Sequence, residues 1–201
     1  MAFIAPDKKP RCEWCGSAPE FLPYHDTEWG FPVDNDIRLF EKICLEGFQS
    51  GLSWRTILNK RENFRKAFRG FDFNMVARFK ERDIERLLND AGIIRHRGKI
   101  EATINNAQRA REMVKSDGSL AAFFWRYEPD PSSLSAPQSA STSAESIRLS
   151  KDLKRLGWKF VGPTTVYAFM QAMGLVNDHM SDCVTRGRVT KARRAFKPPG
   201  K

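Results

Sequence analysis

Four residues near the two ends of the chain carry its plainest chemistry, Cys12 and His25 at one end and His179 and Cys183 at the other. Two thiolates and two imidazoles are the donor set of a tetrahedral zinc site, and a site closed by four protein ligands is structural rather than catalytic. His179 and Cys183 are four apart, a spacing that puts both on one face of a helix. Cys12 and His25 lie in a loop-like stretch able to fold back onto them. The expectation is one Zn2+ ion joining the N- and C-terminal segments. Rival arrangements exist. Cys15 completes a Cys-x-x-Cys with Cys12 and can replace a ligand or form a redox pair, and an open site built from His25, Asp26 and His179 would be a hydrolytic one. Cys44 falls on an apolar stripe and reads as a small core residue.

With zinc in a structural role, the reactive chemistry must lie elsewhere, and Glu46 is the candidate. It sits in the most apolar helical segment of the chain, beside Gly47 and close in sequence to Gly51, Phe48 and Trp54. Glycines cost helix propensity and open space, so a carboxylate here can border a cavity, accepting hydrogen bonds or stabilising positive charge. An exposed glutamate on an outer helix face is the plainer alternative. Trp14, Tyr24, Trp29 and Trp54 supply aromatic faces able to sandwich a planar group, with a hydroxyl on Tyr24. Phe64, Phe68, Phe79 and Phe169 read as core.

A second candidate runs from Ala91 to Ile100, containing Gly92, Arg95, His96, Arg97, Gly98 and Lys99. Gly92 can take the positive φ that ends one helix, and Gly98 lets a backbone approach the start of the next. Free N–H groups at that start, with Arg95, Arg97 and Lys99 beside them, suit a phosphate. An ordinary helix–helix turn with solvated charges is the competing reading.

The elements that must position these groups are helical almost throughout. Behind Asp34, Asn35 and Asp36 as caps, Ile37, Phe40, Ile43, Cys44 and Phe48 repeat at three and four. Ser53 can cap a second helix and Asp72 a third. Ile84, Leu87 and Leu88 mark a fourth, and Ile100 to Val114 a fifth starting after Gly98. Residues 129–146 turn to Pro, Ser and Ala and read as a flexible loop ending in a capping box at Thr142 to Glu145. A last helical part runs around Phe160 to Gly174 with Pro163 in its first turn. No strand alternation is found, so the predicted class is all-α: one domain over 1–185, then a basic, disordered tail over 186–201.

Composition bounds the rest. The 201 residues allow a substantial core. Charges interrupt every apolar run, so no membrane span is expected, and the N-terminus has no secretion-signal pattern. Cytoplasmic residence, with the cysteines as thiols or ligands, is the expectation. The net charge of +10 is concentrated in residues 186–201, which carry seven basic residues and no acid. Such a tail can hold phosphates without reading sequence, or serve solubility alone.

Arg11-Cys12-Glu13-Trp14, the run Tyr24-His25-Asp26-Thr27-Glu28-Trp29-Gly30, the run from Ile43 through Leu45-Glu46-Gly47 to Ser53-Trp54, and Gly174-Leu175-Val176-Asn177-Asp178-His179 occur in that order. On these motifs the chain resembles the bacterial 3-methyladenine DNA glycosylase I family of the helix-hairpin-helix superfamily, over about Arg11 to Cys183. The resemblance implies a monomeric, nucleoid-associated base-excision enzyme acting on double-stranded DNA with alkylated bases and releasing free 3-methyladenine. It places Glu46 as the catalytic carboxylate, Tyr24 and Trp54 on the base, and Trp29 and Trp14 as pocket walls. Phe21 stands where relatives can carry a tyrosine. It also makes Gly92, Arg95, Arg97, Gly98 and Lys99 a hairpin DNA anchor. Its metal pattern selects Cys12, His25, His179 and Cys183 and leaves Cys15 as an extra thiol.

The implied reaction needs little acid help, because a 3-methylated adenine is already cationic and leaves as a neutral base. The enzyme has to rotate the nucleotide out and let water reach the sugar. Asp117 and Asp130 lie in the region where superfamily relatives carry a helping aspartate, but neither sits in a matching motif. No lysine stands out as a Schiff-base nucleophile, so no strand cleavage is expected. A zinc-stabilised DNA-binding module without catalysis is the alternative.

Overall fold

The computed structural model describes residues 2–200. Its centre is α2 (Asp36–Gln49), which starts where the Asn35 side chain accepts a hydrogen bond from the Arg38 amide. From Leu39 to Phe48 every residue of α2 is buried. Four helices pack on it: α3 (Trp54–Ala67), α6 (Arg97–Asp117), α7 (Leu120–Phe124) and α9 (Pro163–Ala172). Phe48, Phe64, Phe68 and Phe71 form one continuous aromatic seam, with neighbouring ring centroids 4.6–6.3 Å apart. Predicted caps hold in detail: Ser53 accepts from Thr56, and Asp72 accepts from Asn74 at the start of the short α4 (Phe73–Val76). The capping box before α8 (Ala144–Arg155) is made by Ser143 with Ser146, one residue along from the predicted pair.

Ahead of α2 lies α1 (Phe21–Thr27), which carries Tyr24 and His25. Two ion pairs from α3 fix it. Arg55 and Asn59 hold Glu20 at its start, and Arg61 grips Glu28 at its end through two bonds of 2.6 and 2.8 Å. α5 (Glu81–Leu88) leads through a hairpin into α6, whose start is capped by the His96 ring accepting from the Lys99 amide.

Two expectations need correcting. A small antiparallel pair, β1 (Phe3–Ile4) with β2 (Pro10–Arg11), accompanies the helices. It is too short to leave an alternation pattern, but it delivers Arg11 to Asp26. The basic stretch after residue 185 is not an irregular tail: α10 (Val184–Ala195) runs through most of it. Thr185 and Val189, four apart, are buried, Arg193 pairs with Glu128, and Phe196 packs on Trp125 at a centroid distance of 4.6 Å. The Pro/Ser-rich segment 129–146 follows an irregular path up to Ser143, where α8 takes over; it has one 3-10 turn, Pro131–Ser133, and is pinned by a bond from the Gln138 amide to Asp178. No helix among the described residues is long and apolar enough to cross a membrane.

Candidate active site

Glu46 is not on an outer face; it is 6% exposed and borders a cavity of about 300 Å³. Trp14, Phe21, Tyr24, Trp29, Lys42, Gln49, Trp54, Ala168 and Gln171 complete its lining. Every residue expected around the base is therefore brought to one place, from η1 (Glu13–Gly16), α1 and the turn after it that carries Trp29, α2 and the first residue of α3. Glycine chemistry supports the site. A Cβ on Gly47 would lie 3.3 Å from Cβ of Phe160, so its absence lets the 158–161 segment press against α2 behind Glu46. Gly51, at φ +77°, makes the sharp turn that returns the chain to Trp54.

Lys42, Gln49 and Gln171 were not found from the sequence. Lys42 lies one turn before Glu46, and its ammonium sits 2.7 Å from Glu46 Oε1, donates to the Tyr24 hydroxyl at 2.9 Å, and lies 3.3 Å from the centroid of the Trp54 indole. Burial pushes Lys42 below the usual lysine value against the pull of Glu46, and burial followed by the Glu46 charge pushes Tyr24 well above the usual phenol value. Tyr24 therefore keeps its proton. Two charges on the central helix of a core are expensive unless paired, which makes the Lys42–Glu46 pair at this cavity the candidate for chemistry. The available signal was the four-residue spacing of Lys42 and Glu46 on an apolar helix.

The second cluster lies directly behind the aromatic wall. Donor atoms of Cys12, His25 and Cys183 all fall within 4.8 Å of one another, and the His25 Nε2 to Cys183 Sγ distance is 3.6 Å. His179 stands against them, its ring centroid 4.8 Å from that of His25, and its Nε2 is buried without a hydrogen-bond partner. His179 stands outside that 4.8 Å group, but a buried imidazole nitrogen with no partner, beside a second imidazole that meets a thiol, fits a fourth zinc ligand. The outward nitrogens are oriented as ligands require: His25 Nδ1 meets Asp26 Oδ1 at 2.8 Å and His179 Nδ1 meets Asn177 Oδ1 at 3.0 Å. Burial, then the nearby His25, lowers His179 to about 4, so its ring is a neutral donor. The hydrogen bond between the thiols lowers Cys183 and raises Cys12.

The pair His179 and Cys183 does not meet by helix pitch. Residues 177–182 are irregular and Cys183 is the N-cap of α10, so a loop makes the approach. Gly30, at φ +85°, makes room for it: a Cβ there would sit 2.7 Å from His179 Cε1. Cys15 is buried outside the cluster, its thiol raised by burial to about 12, and Cys44 is core. Asp26 is no general base. Burial raises it, but hydrogen bonds from Arg11, His25 and Thr185 prevail and hold it at about 2.

Trp14 and Trp29 join the two clusters. Trp14 packs edge-on to His25 at 5.3 Å and Trp29 edge-on to His179 at 4.6 Å, while both rings line the cavity. A metal holding the two imidazoles would thereby set the pocket walls.

The hairpin differs from expectation in its side chains. Arg97 is spent on carboxylates, pairing with Glu85 and, at 2.7 Å, with Glu81. Lys99 points inward, and its ammonium binds the Phe48 and Ser50 carbonyls at 2.9 and 2.6 Å, closing the end of α2 beyond Glu46. Lys99 is thus engaged inside the fold and ties the hairpin to the end of α2, whereas Arg97 holds α5 to α6 through exposed ion pairs. Gly92 does not adopt positive φ. It is small because Asn63 Cβ would lie 3.1 Å from an added Cβ, and Gly98 is close to the His96 ring. Arg95 remains exposed. Asp117 pairs with Arg126 and Asp130 caps the 3-10 turn, so neither reaches the cavity.

Comparison with known proteins agrees with this geometry. The methyladenine glycosylase family profile matches residues 14–186. DNA-3-methyladenine glycosylase 1 of Escherichia coli is 49% identical over 177 residues, covering 86% of this chain and 95% of that protein. DNA-3-methyladenine glycosylase of Haemophilus influenzae is 45% identical, covering 86% and 96%. A solved structure of 3-methyladenine DNA glycosylase I from Staphylococcus aureus, determined to explain 3-methyladenine recognition, superposes with a TM-score of 0.80 at 38% identity, covering 85% of this chain and 93% of that one.

Proposed function

The chain belongs to the methyladenine glycosylase family, and from that premise we propose that it excises 3-methyladenine from alkylated duplex DNA by hydrolysis alone, without cutting the strand. The observation that carries this reading is the buried carboxylate of Glu46 in a cavity walled by Trp14, Trp29, Trp54 and Tyr24. A purine turned out of the duplex has the size and flatness for such a space. Stacking on the indoles holds the ring, and Glu46 accepts from its amino group while stabilising positive charge on the base. The lesion is cationic before bond cleavage, so the leaving group needs no proton. Glu46 instead favours the charged base over a neutral one, and water attacks the sugar as the glycosidic bond breaks.

Lys42, the one lysine lining the pocket among the described residues, is held between Glu46 and Tyr24. A lysine so engaged supports a hydrolase that forms no Schiff base. The hairpin would hold the DNA backbone through its amides and Arg95, a contact that leaves sequence unread. Cys12, His25, His179 and Cys183 would hold one zinc ion, which supplies cross-linking of the chain ends and no chemistry on the substrate.

The test is base release. The protein is incubated with methylated duplex DNA, free bases are identified by mass spectrometry, and strands are sized with and without later alkali treatment. Release of 3-methyladenine with breaks appearing only after alkali is the expected result. Breaks without alkali would overturn the hydrolysis-only reading, and absence of any released base would leave a DNA-binding module.

A further inference from the structure

The base-pocket reading leaves Lys42 unexplained, since a cation beside Glu46 opposes the entry of a cationic base. Its hydrogen bonding supplies a reason. An ammonium has three donors and no acceptor. Where Lys42 Nζ meets the Tyr24 hydroxyl at 2.9 Å, the Tyr24 oxygen must be the acceptor. The hydroxyl hydrogen is then turned away from Lys42. Among the described residues it has no other hydrogen-bond partner, and Tyr24 lines the cavity. Lys42 likewise takes Glu46 Oε1, at 2.7 Å, leaving the second carboxylate oxygen for the cavity. Side by side, Tyr24 and Glu46 thus present a donor, the Tyr24 O–H, next to an acceptor, the free Glu46 oxygen, while the amides of Gln49 and Gln171 line the cavity beside them.

That pair complements a particular purine edge. On its N7 edge a 6-aminopurine presents a ring nitrogen that accepts next to an amino group that donates, whereas a 6-oxopurine presents two acceptors on that edge. The second would set a carbonyl oxygen against a carboxylate. Without Lys42 the Tyr24 hydroxyl is free to rotate, either donating or accepting, and the pattern is lost. Resting on the base-pocket reading, we infer that Lys42 is a positioning and specificity-determining residue: by occupying the Tyr24 oxygen and Glu46 Oε1 it fixes the donor–acceptor pattern that selects 6-aminopurines over 6-oxopurines. It acts through Tyr24 and Glu46 and need not touch the base.

The experiment is a double-mutant cycle of Lys42→Met and Tyr24→Phe, read by calorimetry with free 3-methyladenine and 3-methylhypoxanthine as probes. The wild type is expected to prefer 3-methyladenine at least tenfold. Lys42→Met is expected to narrow that preference at least threefold and to weaken 3-methyladenine binding, whereas in the Tyr24→Phe background it has little further effect on the preference. Lys42→Arg, which retains a donor, is expected to keep most of the selectivity. Tighter binding by Lys42→Met would make the ammonium a plug and overturn the inference. An unchanged preference, or additive effects in the cycle, would do the same. A wild type that binds neither probe would sink the base-pocket reading itself; binding that Lys42→Met leaves untouched would sink only the role of Lys42.

Discussion

Glu46→Gln is expected to lower kcat/KM for 3-methyladenine excision about a hundredfold while the protein stays folded. The substitution preserves side-chain volume and one hydrogen-bond acceptor but removes the negative charge. Among the aromatic walls that charge is the principal group able to favour a cationic purine, and loss of a single well-placed electrostatic contact of this kind costs roughly 10²–10³ in rate, about 3–4 kcal/mol. The variant also leaves the Lys42 ammonium without its 2.7 Å partner, so its pocket turns electropositive and repels the lesion. Excision assays at saturating and limiting DNA separate the two effects, because repulsion weakens binding and lost stabilisation lowers turnover. Unchanged excision would remove Glu46 from the reaction.

Loss of the proposed zinc ion is the second large effect. Cys183→Ser is expected to lower bound zinc from one equivalent per chain to near zero, measured by atomic emission on protein purified without added metal. Small zinc domains derive on the order of 10 kcal/mol from such an ion. This chain has a large core of its own, so partial loss is expected. A chain of this size shifts its Tm by roughly 2–4 °C per kcal/mol, so losing even ~4 kcal/mol lowers Tm by roughly 8–16 °C. Affinity for 3-methyladenine should fall too, because Trp14 and Trp29 rest on His25 and His179. A wild type free of zinc, with the variant equally stable, would refute the proposed metal centre.

How much of this was legible in the sequence depended on whether a residue's neighbours were local. Helix starts were readable because a cap acts within three residues, as at Asn35 and Ser53, and to within one residue at the box before α8. The aromatic wall and Glu46 were readable as a set only through the family motifs, since η1, α1 and α2 converge in space and not in sequence. Lys42 was passed over because lysine ordinarily faces water, and only the fold shows it buried against Tyr24 and Trp54. Lys99 and Arg97 misled for the opposite reason. Basic residues at a hairpin suit phosphate, but the partners that claim them, the Phe48 and Ser50 carbonyls and Glu81, are distant along the chain. The α10 stripe was hidden under its charge, as seven basic residues from 186 onward obscured the spacing of Thr185 and Val189.

The most direct test of the base pocket is a crystal structure of the wild-type protein soaked with free 3-methyladenine. The account predicts the purine in the cavity against Trp54, its amino group on Glu46 and a ring nitrogen accepting from Tyr24. A base bound elsewhere, or seated in the cavity with Glu46 still paired to Lys42 alone and no contact to the purine, would contradict it.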